Sequence, residues 1–297
     1  GDFTSTDTVI KVFGLVGDLT SDLGNTGSTR YLVIGKEIIS YTGNTSDGDG
    51  VYTLTGVTRG ALDTTADEMK DKDKAQRAGR FENWHLWTVM HDLLTNHTEM
   101  PNSFIDLDDW NDEGLTYLPT YIVSRTVVEP TEIVTLAGEI TQQGLFYIWW
   151  DETSQKIKLL AVRPPNTTPE VLNEDQHIMA GAVLTRAPSD RLTQVSVFYS
   201  VIDEFSSRTN DTNYENRFVA VDADNLGDTR SLVIHAPWIR NRTQAMQIAV
   251  RTLRRYKSVP EFLTIKVDAK DRDTVAVGEV LDVTTKALLT TEGDTLD

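Results

Sequence analysis

Residues 31–65 read YLVIGKEIISYTGNTSDGDGVYTLTGVTRGALDTT. Tyr31 and Val33 fall on alternate positions, and residues 37–41, EIISY, form a second extended run. Aromatic and β-branched residues in that spacing suit a pleated, half-buried surface. Residues 44–50 are turn chemistry throughout: Asn and Asp side chains close turns on their own backbone, and Gly supplies positive φ. Val51, Tyr52, Leu54 and Val57 resume the strand, and Arg59-Gly60-Ala61 with Thr64-Thr65 closes it. The stretch predicts strand, turn and strand in a small all-β module. Arg59 is expected to lock the closing turn by donating to backbone carbonyls rather than to act in catalysis.

Around this stretch, residues 1–78 are rich in Thr, Gly and Asp, with an alternating Val9, Lys11 and Phe13. They predict a module of short strands and polar turns. The charge run KDKDK at 70–74 marks its boundary. The period then changes. Trp84, Trp87, Val89, Met90, Leu93 and Leu94 recur at three- and four-residue steps, which predicts a helix over 80–98. An acidic loop or short helix at 104–118 and a strand at 122–128 follow. A helix at 131–143 is capped by Thr131 and stopped by Gly144. Residues 145–150 and 156–162 predict a hairpin around the turn DETSQ, ended by Pro164-Pro165. Residues 166–297 return to strands, at 191–203, 218–221, 231–235, 261–267 and 275–283. One amphipathic helix interrupts them at 238–257, with Ala245, Ile248, Ala249, Thr252, Leu253 and Tyr256 on one stripe.

At 297 residues, with 39% hydrophobic and 25% charged side chains, the chain is long enough for two or three cores. No apolar run approaches the roughly 18 residues of a membrane span. The opening GDFTSTDTVI lacks a secretory leader pattern, and both ends read as cut. The chain has no cysteine, which excludes disulfides, cysteine nucleophiles and thiolate metal sites. A net charge of −17 argues against specific binding of duplex nucleic acid, which needs a basic footprint. The same charge would serve solubility, or a wall past which a polyanion slides.

No metal or cofactor site is expected. His85, His91 and His97 stand six residues apart and do not share a helical face. Asp106, Asp108, Asp109, Asp112 and Glu113 form the densest carboxylate cluster, but Trp110 and Gly114 break the calcium-loop pattern. No phosphate loop, nucleophile elbow or dinucleotide fingerprint occurs. Trp149 and Trp150 point to opposite faces of their strand. The candidate contact residues are Arg240, Arg242, Arg251, Arg254 and Arg255, which with Lys257 lie on a helix free of acids. Two readings stand open, that cations suit the helix C-terminus or that the helix docks an acidic patch on a neighbouring subunit; phosphate binding ranks third, since no aromatic residues interleave the basic ones.

Several of these stretches resemble the tail hub (tail-tip, or baseplate hub) proteins of tailed bacteriophages. That family carries a strand Glu-Ile-Ile-x-Tyr, a hairpin, and Val-x-Arg-Gly-Ala-x-x-Thr-Thr, here Glu37 to Tyr41 and Val57 to Thr65. It also has a helix leading to Trp149-Trp150-Asp151-Glu152, a strand from Thr193 to Asp203, and Asp268-Ala269-Lys270-Asp271 before Gly278-Glu279-Val280. The resemblance implies a mainly β, multi-domain α+β protein: barrel-like hub domains plus a small all-β insertion module. The expected division is 1–78, an all-β module; 79–165, α+β with helix and hairpin; and 166–297, a barrel-like domain with one amphipathic helix. It further implies a non-enzymatic homotrimer at the distal end of the virion tail. Such a hub closes the tail tube, links a distal tail protein to a fibre or spike, and opens for DNA ejection without binding DNA specifically. The alternative is a tail-associated protein that binds or degrades polysaccharide.

Overall fold

The computed structural model describes residues 3–13, 29–70, 73–163, 169–224, 230–268, 270, 275, 277–278 and 280–285. Ala269, Asp271, Glu279 and the Pro164-Pro165 stop therefore lie outside the described residues. In chain order the first elements are β1 (Ile10–Phe13), β2 (Arg30–Ile34), β3 (Glu37–Tyr41), β4 (Gly43–Gly48), β5 (Val51–Thr55) and β6 (Ala75–His85). Next come α1 (Leu86–Asn96), α2 (Leu107–Tyr117), β7 (Ile122–Val127), α3 (Ile133–Gly144), β8 (Phe146–Asp151) and β9 (Lys156–Ala161). The last are β10 (Glu170–Asn173), β11 (Ile178–Arg186), β12 (Gln194–Val201), β13 (Tyr214–Val221), β14 (Ser231–Ala236), α4 (Arg242–Tyr256), β15 (Glu261–Val267) and β16 (Leu281–Thr284).

The fold is α+β and built from several small sheets. Their strand orders are β1-β5-β4, β3-β2-β6-β7, β8-β9, β10-β16, β11-β15 and β13-β12-β14. The barrel-like hub domains expected from the sequence are not present among the described residues. Among the described residues no sheet's first strand bonds to its last, as a barrel requires. The reason is visible at β12. It pairs antiparallel with β13 and parallel with β14, and α4, not a second sheet, packs across β12 and β13. Val195, Val197 and Tyr199 are buried in the same cluster as Ala245, Ile248, Ala249 and Leu253 of the helix.

Other boundaries move as well. Residues 80–85 belong to β6, because Phe81 pairs with Arg125 and Trp84 with Val123. The helical period belongs only to α1, whose Leu86, Trp87, Val89, Met90 and Leu93 are buried. Residues 43–48 are a strand, with Asn44 opposite Leu54 and Ser46 opposite Tyr52. The third helix starts after Glu132, includes Gly144, and ends on Leu145 in the left-handed region at φ 53°. The hairpin of β8 and β9 forms with Asp151 opposite Lys156.

One large core joins Phe81 on β6, the three helices α1 to α3, the β8–β9 hairpin, β12 and α4. Trp87, Trp110 and Trp238 are its largest fully buried side chains. Gly114 lets α2 approach α1, since a Cβ there would come within 2.5 Å of the Trp87 ring. A second core of Ile10, Val12, Leu32, Ile39, Tyr41, Leu54 and Met69 fills the N-terminal sheets. Phe205, from the loop after β12, packs onto Val33, Ile38, Ala78 and Val128. No helix among the described residues is long and apolar enough to cross a membrane.

Candidate interaction surfaces

The 31–65 stretch is organised by an ion pair. Glu37 opens β3, and Arg59 lies just past β5. Arg59 Nε and Nη2 donate to the two oxygens of Glu37 at 2.7 and 2.8 Å, with side chains 6% and 1% exposed. The carboxylate also accepts from Gly60 N at 2.8 Å and Asp67 N at 3.0 Å. Arg59 donates in turn to the carbonyls of Thr4 and Asp67, the role expected of it. Its partner Glu37 was not expected, because the two are far apart in sequence and only the fold superposes them. Burial works to raise the Glu37 pKa, but the bonds from Arg59, Asp67 and Gly60 together hold it below the usual carboxylate range. Gly60 sits at φ +61°, with Thr64 O 2.8 Å from where a Cβ would stand. This constellation is fully satisfied internally and holds a turn rigid.

A cleft of about 960 Å³ lies beside it. It is lined by the β2–β3 turn, the 62–69 loop, β6, β7 and the segment 201–205, with Lys36, Arg80 and Arg240 among Asp63, Glu68, Glu82, Asp203 and Glu204. Behind it, fully buried Arg125 pairs with Glu139 and lies 4.6 Å from the Trp238 ring centroid. Glu139 also accepts from Trp238 Nε1 at 3.1 Å and stands 3.8 Å from Arg208. Arg125 Nε and Nη2 have no hydrogen-bond acceptor among the described residues, so the ring face carries part of the load of solvating the guanidinium. Burial pushes the Arg125 pKa down, against the pull of Glu139. Glu204, 3.4 Å from Arg240, has its pKa raised, because burial outweighs the nearby arginines Arg125, Arg240 and Arg208.

The five candidate arginines separate. Arg240 donates to Ser124 O at 3.1 Å and meets Glu204. Arg251 donates to Val162 O at 3.1 Å. Arg242, Arg254 and Arg255 are exposed on α4, and the Arg255 guanidinium stands 5.5 Å from the Tyr147 ring centroid. The carboxylate cluster is taken up in structure: Asp106 caps α2, Asp109 meets Lys158 at 3.0 Å, and Glu113 binds Arg163 and Ala161 N. His85 stacks on Trp87, His91 sets its edge to Trp110, and His97 faces Asp92. No cluster of three metal-ligating side chains occurs among the described residues. On β8, Trp150 is half exposed against Phe104.

The surface that sequence reasoning missed is the β11–β15 ribbon. Val183 and Phe262, on one face, are 57% and 55% exposed, and Leu184, on the other, is 36% exposed. Met179 on the same strand is 68% exposed. A two-stranded ribbon with both faces wet is marginal by itself. Val171 on β10, Val221 on β13 and Val233 on β14 are exposed as well.

No protein-family model matches the chain, and no curated protein matches it. Among solved structures, three tail proteins are similar. The 43 kDa tail protein of prophage MuSo2 from Shewanella oneidensis is 10% identical, over 89% of this chain and 76% of that one, with a TM-score of 0.37. A tail protein from Neisseria meningitidis MC58 is 12% identical, over 93% and 80%, at 0.41. Prophage tail protein gp18 from Listeria monocytogenes EGD-e is 11% identical, over 98% and 88%, at 0.37. TM-scores at this level fall short of a shared fold, and the functional reading below rests on the chain's own residues.

Proposed function

We propose that this chain is a non-catalytic structural component of a phage tail tip. In this reading it is a subunit of a trimeric hub that joins the tail tube to a host-recognition fibre or spike and opens for DNA ejection. The observation that carries the reading is the β11–β15 ribbon, whose strands pair only with each other among the described residues and whose apolar residues on both faces call for neighbours. The motif of residues 37–65 supports it in a second way: its charged residues are spent on fixing a turn, not on chemistry. Arg242, Arg254 and Arg255 offer a basic contact for an acidic neighbour, with Arg240 and Arg251 holding the helix in place. The acidic remainder of the surface would keep a passing polyanion from sticking.

The test has two parts. Sedimentation of the purified chain should show weak, concentration-dependent trimers, and Phe262→Glu with Met179→Glu should abolish them. Immunogold labelling of intact particles should place the antigen at the free end of the tail. A tight dimer indifferent to those substitutions, or antigen absent from particles, would remove the hub reading.

A further inference from the structure

The strand β1 is the end strand of its sheet: among the described residues it bonds to β5 on one side and to no strand on the other. Beside it runs a groove of about 960 Å³. Its floor is apolar, from Ile10, Val12, Ile34 and Met69. Val9 and Phe13 flank it at 59% and 76% exposure, an unusual amount of apolar surface to leave in water next to an open strand edge. The rim is cationic. Lys70 and Lys74 line it with no ion-pair partner among the described residues. Three lysines, Lys11, Lys70 and Lys74, line the groove against one acid, Asp73, which accepts from Lys70 N at 2.8 Å, and Asp47 holds Lys11 at 2.8 Å.

We propose that this groove receives an extended segment of a partner protein with alternating apolar and acidic side chains, added as a strand to the free edge of β1. Backbone bonding to an open edge gives such a complex its affinity, and the pockets for alternate side chains give it specificity. The alternation follows from strand geometry. Every second side chain of the incoming segment turns toward Ile10, Val12 and Met69, and those between turn outward toward Lys70 and Lys74. A net charge of −17 makes most of this chain's surface repel such a segment, and the lysine rim favours docking at this groove. The inference does not depend on the tail-hub reading.

The probe is a dye-labelled heptapeptide of alternating Glu and Val, titrated with the purified chain and followed by fluorescence anisotropy. Saturable binding with a Kd of about 0.1 mM or tighter is expected. The double substitution Lys70→Glu and Lys74→Glu, both exposed and harmless to folding, should weaken it by about tenfold or more. A peptide with Lys in place of Glu, and one with a central Pro that cannot complete the ladder, should each lose binding to a similar degree. Absence of saturable binding overturns the proposal, and so does equal binding of the Lys peptide. Self-association of the chain abolished by the same double substitution would assign the groove to a second copy and overturn the partner proposed here.

Discussion

Replacing Glu37 by Gln should loosen the turn that closes the N-terminal sheets. The carboxylate accepts four hydrogen bonds, from Arg59 Nε, Arg59 Nη2, Gly60 N and Asp67 N, at 2.7 to 3.0 Å. An amide has one acceptor oxygen, so its NH₂ must face either Arg59 Nε and Gly60 N or Arg59 Nη2 and Asp67 N. It also leaves a guanidinium only 6% exposed without its paired carboxylate. Removing one partner of a buried pair costs about 3–5 kcal/mol, a large part of the roughly 5–15 kcal/mol that holds a domain together. The reporters are backbone amides the lock protects: Thr58 N on Ser40 O at 2.8 Å and Ala61 N on Ile38 O at 2.7 Å. At 1.4 kcal/mol per decade, hydrogen exchange there should quicken by about two to three and a half orders of magnitude. The pH dependence checks the cause. The folded Glu37 pKa is lowered, so its stabilisation is present above the unfolded value of about 4.3 and is lost as pH falls through the folded one. The Gln variant should lack that acid limb. Adding Arg59→Met to Glu37→Gln should recover part of the loss, since no unpaired charge then remains. Exchange in residues 57–67 that quickens by less than about tenfold, or an unchanged acid limb, would refute the reasoning.

Four further outcomes follow from the same geometry. Gly60→Ala places a Cβ 2.8 Å from Thr64 O at positive φ and should cost about 1–2 kcal/mol or more in urea titration. Gly114→Ala drives a methyl into the Trp87 ring; denaturation followed by Trp fluorescence should show a loss of about 1–3 kcal/mol from overpacking. Arg125→Met removes the partner of Glu139 beneath Trp238 and should cost about 3 kcal/mol, with a changed Trp emission maximum. Glu204→Gln should stabilise the chain near neutral pH. The folded Glu204 pKa is raised, so its stabilisation is fully present below the unfolded value of about 4.3 and is lost as pH rises through the folded one. Thermal melts across that window should lose this slope in the variant, and a slope that persists would show another group is responsible.

The sequence by itself determined the local elements whose period is unmixed. The β8–β9 hairpin follows from alternation about a turn where Asp151 accepts from Thr153 N and Ser154 N. The stripe of Ala245, Ile248, Ala249 and Leu253 fixes which side of α4 is buried. Arg59 was legible as a turn lock because Gly60, which follows it, marks a backbone that needs left-handed freedom. Elements that share a boundary were not legible. Trp84 and Trp87 stand at helical spacing, yet one ends a strand and the other begins a helix, because side-chain period does not reveal where β6 gives up its pairing with β7. Residues 43–48 carry turn residues but are held extended by bonds to β5 that only the folded sheet supplies.

Only the tertiary structure decided which strands meet and what lies between them. Alternating burial is the same in a closed barrel and in an open sheet, so the sequence could not say that the β12 sheet stays open with α4 packed across it. Nor could it show that Glu37 meets Arg59, that Arg125 lies under Trp238, or that β11 leaves apolar side chains in water on both faces of its ribbon. Each of these is a contact, or a missing contact, between residues far apart in the chain. Local propensity carries no information about such pairs, because the energy that selects them exists only when the elements are packed together.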